Sequence, residues 1–86
     1  MSLLMAARPQ PNTSYHVKGV TIRIVEVAEW RMPWGERYWL VGYRIVDGSV
    51  VTPVAHILIR DGEDIRPWLE RIAEYYQQVK QLLRPR

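Results

Sequence analysis

The sequence predicts a single α+β domain in which a three-stranded antiparallel β-meander, or a four-stranded sheet if the N-terminal tail adds a strand, packs on one long C-terminal α-helix. Apolar and polar residues alternate in segments up to about residue 60, which is typical of strands, and apolar residues then recur every three or four positions, which is typical of a helix. A chain of 86 residues is long enough for one domain. We expect this domain to cover residues 15–86, with the sheet over residues 15–60 and the helix over residues 64–83.

Residues 1–14 are predicted to form a flexible N-terminal tail, because they show no periodicity and contain Pro9, Pro11 and Asn12. The apolar stretch at residues 1–7 is too short for a secretory signal. No apolar run approaches the roughly 20 residues needed to span a bilayer. We therefore expect a cytoplasmic protein with no membrane partner.

The first strand is predicted over residues 15–30, where Val20, Ile22 and Ile24 alternate with polar residues. The alternation changes phase at Val25. A β-bulge near Ile24 and Val25 would return the later apolar residues to the same face.

The second and third strands, residues 37–46 and 49–60, are predicted to form a hairpin around an Asp47-Gly48 turn. In this register paired residue numbers sum to 95, so Trp39 and Tyr43 share a face with Thr52 and His56. The opposite face is aliphatic, and we assign it to the helix. Its members are Leu40, Val51, Ala55, Ile57 and Ile59.

The helix is predicted to begin with Asp64 as its cap and Pro67 in its first turn. It carries two apolar rows. Either both rows are core, or one faces the sheet and the other faces a second subunit, which would make the protein a homo-oligomer. The first row has a/d spacing and consists of Ile65, Trp68, Ile72, Tyr75, Val79 and Leu82, whereas the row predicted for oligomerisation consists of Leu69, Tyr76 and Leu83.

Composition excludes some function classes. The chain has no cysteine, so it has no disulfide. His16 and His56 are the only histidines, and neither stands beside a carboxylate cluster, so we predict no metal, no cofactor and no catalytic residues. The protein is therefore expected to bind a partner rather than to be an enzyme. The single asparagine and the many arginines are typical of a thermophilic protein.

The aromatic and basic residues indicate the partner. The chain has four tryptophans, five tyrosines, a net charge of +3 and a pI near 9.6. Aromatic plates stack on bases of any sequence, and arginine contacts phosphates. We therefore predict low-specificity binding of single-stranded DNA or RNA. The candidate site residues are Arg23, Arg31, Trp34, Arg37, Trp39, Tyr43, His56 and Arg60.

Two alternatives stay open. The aromatic residues could instead fill a thin hydrophobic core. The same aromatic surface could also meet another protein, in which case the domain is a protein-interaction or oligomerisation scaffold.

The hairpin YWLVGYRIVDGSVV followed by the helix IRPWLERIAEYYQQVKQLL resembles the ThermoDBP-related family of single-stranded DNA-binding proteins from heat-loving archaea. The resemblance covers residues 20–83. It implies single-strand binding in a cleft lined by aromatic and basic residues, and assembly through the C-terminal helix.

Overall fold

The computed structural model describes residues 8–84 and has an α+β fold, as predicted. One antiparallel sheet precedes one helix. The elements are β1 (Ser14–Val17), β2 (Val20–Arg31), β3 (Arg37–Asp47), β4 (Val50–Val51), β5 (Ala55–Arg60) and α1 (Arg66–Leu83).

The sheet is wider than the predicted three-stranded meander. Its order is β1-β2-β3, and β4 and β5 both pair with β3 at successive positions, so they form one interrupted edge strand. The additional strand arises at Lys18-Gly19, where φ is +48° and +84°, the pattern of a type I′ hairpin turn. Sequence alone did not reveal this turn because lysine seldom adopts positive φ.

The predicted bulge in the first long strand is confirmed. Ile24 pairs with Tyr43 and Glu26 pairs with Gly42, so Val25 is the extra residue. The bulge places Val27 on the same face as Ile24, and both pack in one apolar cluster.

The predicted hairpin register is wrong. Asp47 pairs with Val50, so the turn residues are Gly48 and Ser49, and paired residue numbers sum to 97. Positive φ at Gly48 alone is the pattern of a type II′ turn.

An irregularity at residues 52–54, which include Pro53, then shifts the sum to 98 in β5. A slip of one residue moves every later side chain to the other face. Ala55, Ile57 and Ile59 therefore lie on the face of Trp39 and Tyr43 rather than opposite it.

This combined face is the core face, and α1 packs on it. Leu69 and Ala73 of the helix are fully buried against the sheet. The two buried clusters together contain Val20, Ile22, Ile24, Trp39, Val41, Ile45, Ile59, Leu69 and Ala73.

The helix ends at Leu83, as predicted, and begins two residues later than predicted. The N-cap position is Ile65 and not the predicted Asp64, because the helix begins at Arg66. Asp64 Oδ1 still accepts a hydrogen bond of 3.1 Å from the backbone N–H of Arg66. Pro67 lies in the first turn, as expected.

Part of the segment predicted as a flexible tail contacts the core face. Pro9 is buried, and the guanidinium of Arg8 lies 4.8 Å from the centre of the Trp39 ring. The backbone N–H of Asn12 donates to the carbonyl of Ile24 at 2.8 Å. Residues 1–7 of the predicted tail lie outside the described residues.

Replacing Gly48 by valine should lower the free energy of unfolding by about 1–2 kcal/mol, because left-handed backbone is costly for a residue with a Cβ atom. Ser49→Val is the matched control, since Ser49 has no positive φ, and it should cost less. Thermal unfolding measures both. Equal melting temperatures for Gly48→Val and the unmodified protein would contradict the turn assignment.

Candidate nucleic-acid interface

The second face of the sheet, which we call the open face, lies opposite α1. Cross-strand pairing arranges its side chains in rows that run from β1 or β2 across β3 to β5. Four consecutive rows are Ser14–Arg23–Arg44, Glu26–Gly42–His56, Ala28–Leu40–Leu58 and Trp30–Tyr38–Arg60. A further row, His16–Thr21–Val46–Val51, lies beyond the first of them at the β4 end of the sheet.

The first row places two arginines side by side. Arg23 and Arg44 are directly paired across β2 and β3. Arg44 Nη1 donates to the carbonyl of Thr52 at 3.2 Å, and Arg23 is exposed. Neither arginine has a carboxylate within 4 Å among the described residues. Since like charges that are directly opposite on a sheet repel, this row favours an anion.

The last row is aromatic. Trp30 is 50% exposed, and its neighbour Tyr38 is half-buried. The Arg60 guanidinium lies 5.8 Å from the centre of the Tyr38 ring and 2.6 Å from a carboxylate oxygen of Glu36. The hydrogen bond to Tyr38 and the charge of Glu36 raise the pKa of Arg60, so it stays a cation. The row therefore offers two aromatic rings next to an arginine whose charge is paired with Glu36.

The middle of the open face combines a histidine–carboxylate contact with apolar surface. His56 Nε2 lies 2.8 Å from Glu26 Oε1. A Cβ atom at Gly42 would lie 2.6 Å from Glu26 Cγ, so glycine is needed for Glu26 to lie across β3 towards His56. The open face consequently carries two arginines at one end and aromatic rings at the other, with the Glu26–His56 contact between them.

Three of the eight predicted binding residues lie on the open face, namely Arg23, His56 and Arg60. Two others lie near its aromatic end. Trp34 is 71% exposed in the loop after β2, and its indole N–H donates to Glu36 at 2.9 Å. Arg31 ends β2 and forms an ion pair with Glu29 at 3.0 Å.

The predicted stacking platform at Trp39 and Tyr43 is wrong, because both residues lie on the core face. Trp39 is only 6% exposed, and its indole N–H donates to Asp61 Oδ1 at 2.9 Å. This bond, together with Arg37, holds the pKa of Asp61 below its ordinary value. Arg37 is engaged in the same cluster, with Nη2 at 3.1 Å from Asp61. Burial raises the pKa of Tyr43.

Three open-face residues were not predicted from the sequence, namely Trp30, Tyr38 and Arg44. The face of Tyr38 and Arg44 was predicted to be the core face, because one continuous register was assumed for the whole hairpin. The signal that could have corrected this was Pro53, since proline within a strand marks an edge or an irregularity.

Both apolar rows of α1 contribute residues to the core, since Ile65, Trp68 and Ile72 of the a/d row also pack against the buried clusters. Leu69 is buried, and the half-buried Tyr76 donates from its hydroxyl to Asp47 Oδ2 at 2.9 Å, so both belong to the sheet-facing side. Leu83, the third residue predicted for oligomerisation, is 76% exposed. In the other row Tyr75 and Leu82 are 70% and 84% exposed.

Within residues 8–84, no three histidine or acidic side chains are grouped closely enough to hold a metal ion. No described helix is long and apolar enough to cross a membrane.

Two tryptophan variants test the assignment of the two faces. Trp39→Ala should lower the free energy of unfolding by about 3–5 kcal/mol, because it leaves a cavity in the core. Trp30→Ala, the matched control on the open face, should change it by only about 0.5 kcal/mol. Chemical denaturation of both variants measures the difference. A larger loss from Trp30→Ala would mean that the two faces are reversed.

A comparison with protein-family models, with curated proteins and with solved structures finds no match for this chain. The resemblance to the ThermoDBP-related family therefore stays a prediction.

Proposed function

We propose that the protein binds single-stranded nucleic acid, either DNA or RNA, with low sequence specificity, on the open face of its sheet. The observation that carries this proposal is the cross-strand pair of Arg23 and Arg44, which lacks a carboxylate partner among the described residues.

A phosphate group is the anion that suits this pair. Like charges at directly paired positions repel each other, and a bound anion relieves that repulsion, while arginine binds phosphate oxygens through paired N–H donors. Hydroxyl and imidazole groups lie beside this pair. Ser14 is in the same row, and the neighbouring row contains His16 and Thr21, whose Nδ1 and Oγ1 atoms are 3.0 Å apart. These groups add donors beside the arginines.

The length of the open face favours an extended ligand over a small anion. Six residues along β3 separate Arg44 from Tyr38, which is about 20 Å at 3.3 Å per residue. At the stacked spacing of about 3.4 Å per nucleotide, this span holds at most roughly six nucleotides. A strand with phosphates at the arginine row can therefore place bases on Trp30 and Tyr38.

The aromatic row favours a single strand over a duplex. Bases in a duplex are stacked on one another, whereas unpaired bases expose their flat faces to a protein ring. Stacking on Trp30 and Tyr38 would not distinguish the bases, because every base has such a face. Low sequence specificity follows from this mode of contact.

A second candidate function is a protein-interaction surface on the same face. The row Ala28–Leu40–Leu58 favours it, because this row is apolar and uncharged. Salt separates the two candidates, since phosphate contacts weaken as salt rises and apolar contacts do not.

Labelled single-stranded and duplex oligonucleotides, titrated with protein and followed by fluorescence anisotropy, test the proposal. We expect the single strand to bind more tightly, and its affinity to fall as salt rises. Arg23→Ala should weaken binding and reduce the slope of log affinity against log salt by about 0.7, the value for one single-strand phosphate contact.

Arg66→Ala is the matched control, because it removes the same charge from the start of α1. It should leave the affinity and the salt slope nearly unchanged. An equal effect of both variants would indicate attraction by net charge alone. Absence of single-strand binding at low salt would contradict the proposed function and favour the protein-interaction surface.

A further inference from the structure

The core face is only partly covered by α1. The helix approaches the sheet most closely over β1 and β2. A sheet four strands wide measures about 19 Å at about 4.8 Å per strand. One helix is about 10 Å in diameter, so it covers about half of that width.

An apolar groove of about 450 Å³ occupies the uncovered half, between α1 and the strands β3 and β5. Its floor includes Tyr43, Ala55 and Ile57, and its helical wall includes Trp68, Tyr75 and Val79. Trp68 also packs against the core, whereas Tyr75 of the same wall is 70% exposed.

We infer that this groove is the contact surface of a symmetric dimer, in which a second copy of the chain presents the same uncovered helical row. A two-fold interface needs one patch that is complementary to itself. Here the groove and an exposed apolar row that can fill a groove belong to one continuous surface.

The charged side chains around the groove are compatible with a second copy of the chain as its occupant. Arg71 is the one charged side chain that lines the groove within the described residues, and its guanidinium lies 4.7 Å from the centre of the Trp68 ring. At the adjoining end of the helix, Lys80 is paired with Asp47 at 2.8 Å. The patch therefore holds no cluster of unpaired charge that would select an oppositely charged partner.

The contact area places the dimer in a size class of interfaces. The 18 residues of α1 extend about 27 Å. A strip of that length, with about 10 Å of uncovered sheet and about 10 Å of helix flank, measures about 540 Å² per partner. The total of about 1,100 Å² lies at the low end for specific interfaces, so the dimer should dissociate on dilution.

Sedimentation equilibrium of the full chain over a wide range of concentration tests this inference. The mass should rise with concentration from 10.2 kDa to twice that value. Tyr75→Glu should keep the mass at 10.2 kDa throughout. Gln78→Glu is the matched control, because it adds the same charge to the helix at a position that does not line the groove. It should dimerise like the unmodified protein.

The inference fails if the unmodified chain stays at 10.2 kDa at every concentration. In that case, a lower melting temperature for Tyr75→Glu than for Gln78→Glu would indicate that a segment of the same chain fills the groove. Equal melting temperatures would indicate that the groove binds a different molecule. The inference also fails if Tyr75→Glu dimerises as well as its control. None of these results depends on the open face, so oligonucleotide binding is tested separately.

Discussion

The width of the helix relative to the sheet governs the rest of this structure. One helix of about 10 Å must cover a four-stranded sheet of about 19 Å, and it does so over β1 and β2. Leu69 and Ala73 complete the core there. Two surfaces remain without a covering element among the described residues, the groove beside α1 and the whole open face. Both candidate interaction surfaces exist because the single helix is narrower than the sheet and covers only one of its faces.

The irregularity at residues 52–54 decides which chemistry each surface has. Because it shifts β5 by one residue, Ile57 and Ile59 join Trp39 on the core face. Without that shift, apolar side chains of β3 and β5 would lie on opposite faces, and one helix could not cover them. The same shift brings His56 and Arg60 to the open face, beside Gly42 and Tyr38.

Local sequence patterns predicted most of the strands and the helix. Which residues lie on which face of the sheet depended on the pairing register between strands, and a local pattern does not contain that register. The alternation around Ile24 revealed the bulge at Val25, and Pro67 marked the first turn of the helix. The Lys18-Gly19 turn was missed because only glycine favours positive φ there.

The platform at Trp39 failed for a different reason. Periodicity gives the spacing of side chains within one strand, but the register between strands depends on where the partner strand is interrupted. Arg23, by contrast, lies opposite Ile22 and Ile24 as their alternation predicted, since that relation is set within a single strand.

The indole groups of Trp30, Trp34, Trp39 and Trp68 lie separately on the open face, in the loop, in the core and beside the groove. The shift of these four indole N–H signals in NMR spectra, as single-stranded oligonucleotide is added, therefore tests directly whether nucleic acid binds on the open face. We expect the Trp30 signal to move most and those of Trp39 and Trp68 to stay. Movement of Trp68 with no change at Trp30 would contradict the assignment of nucleic-acid binding to the open face.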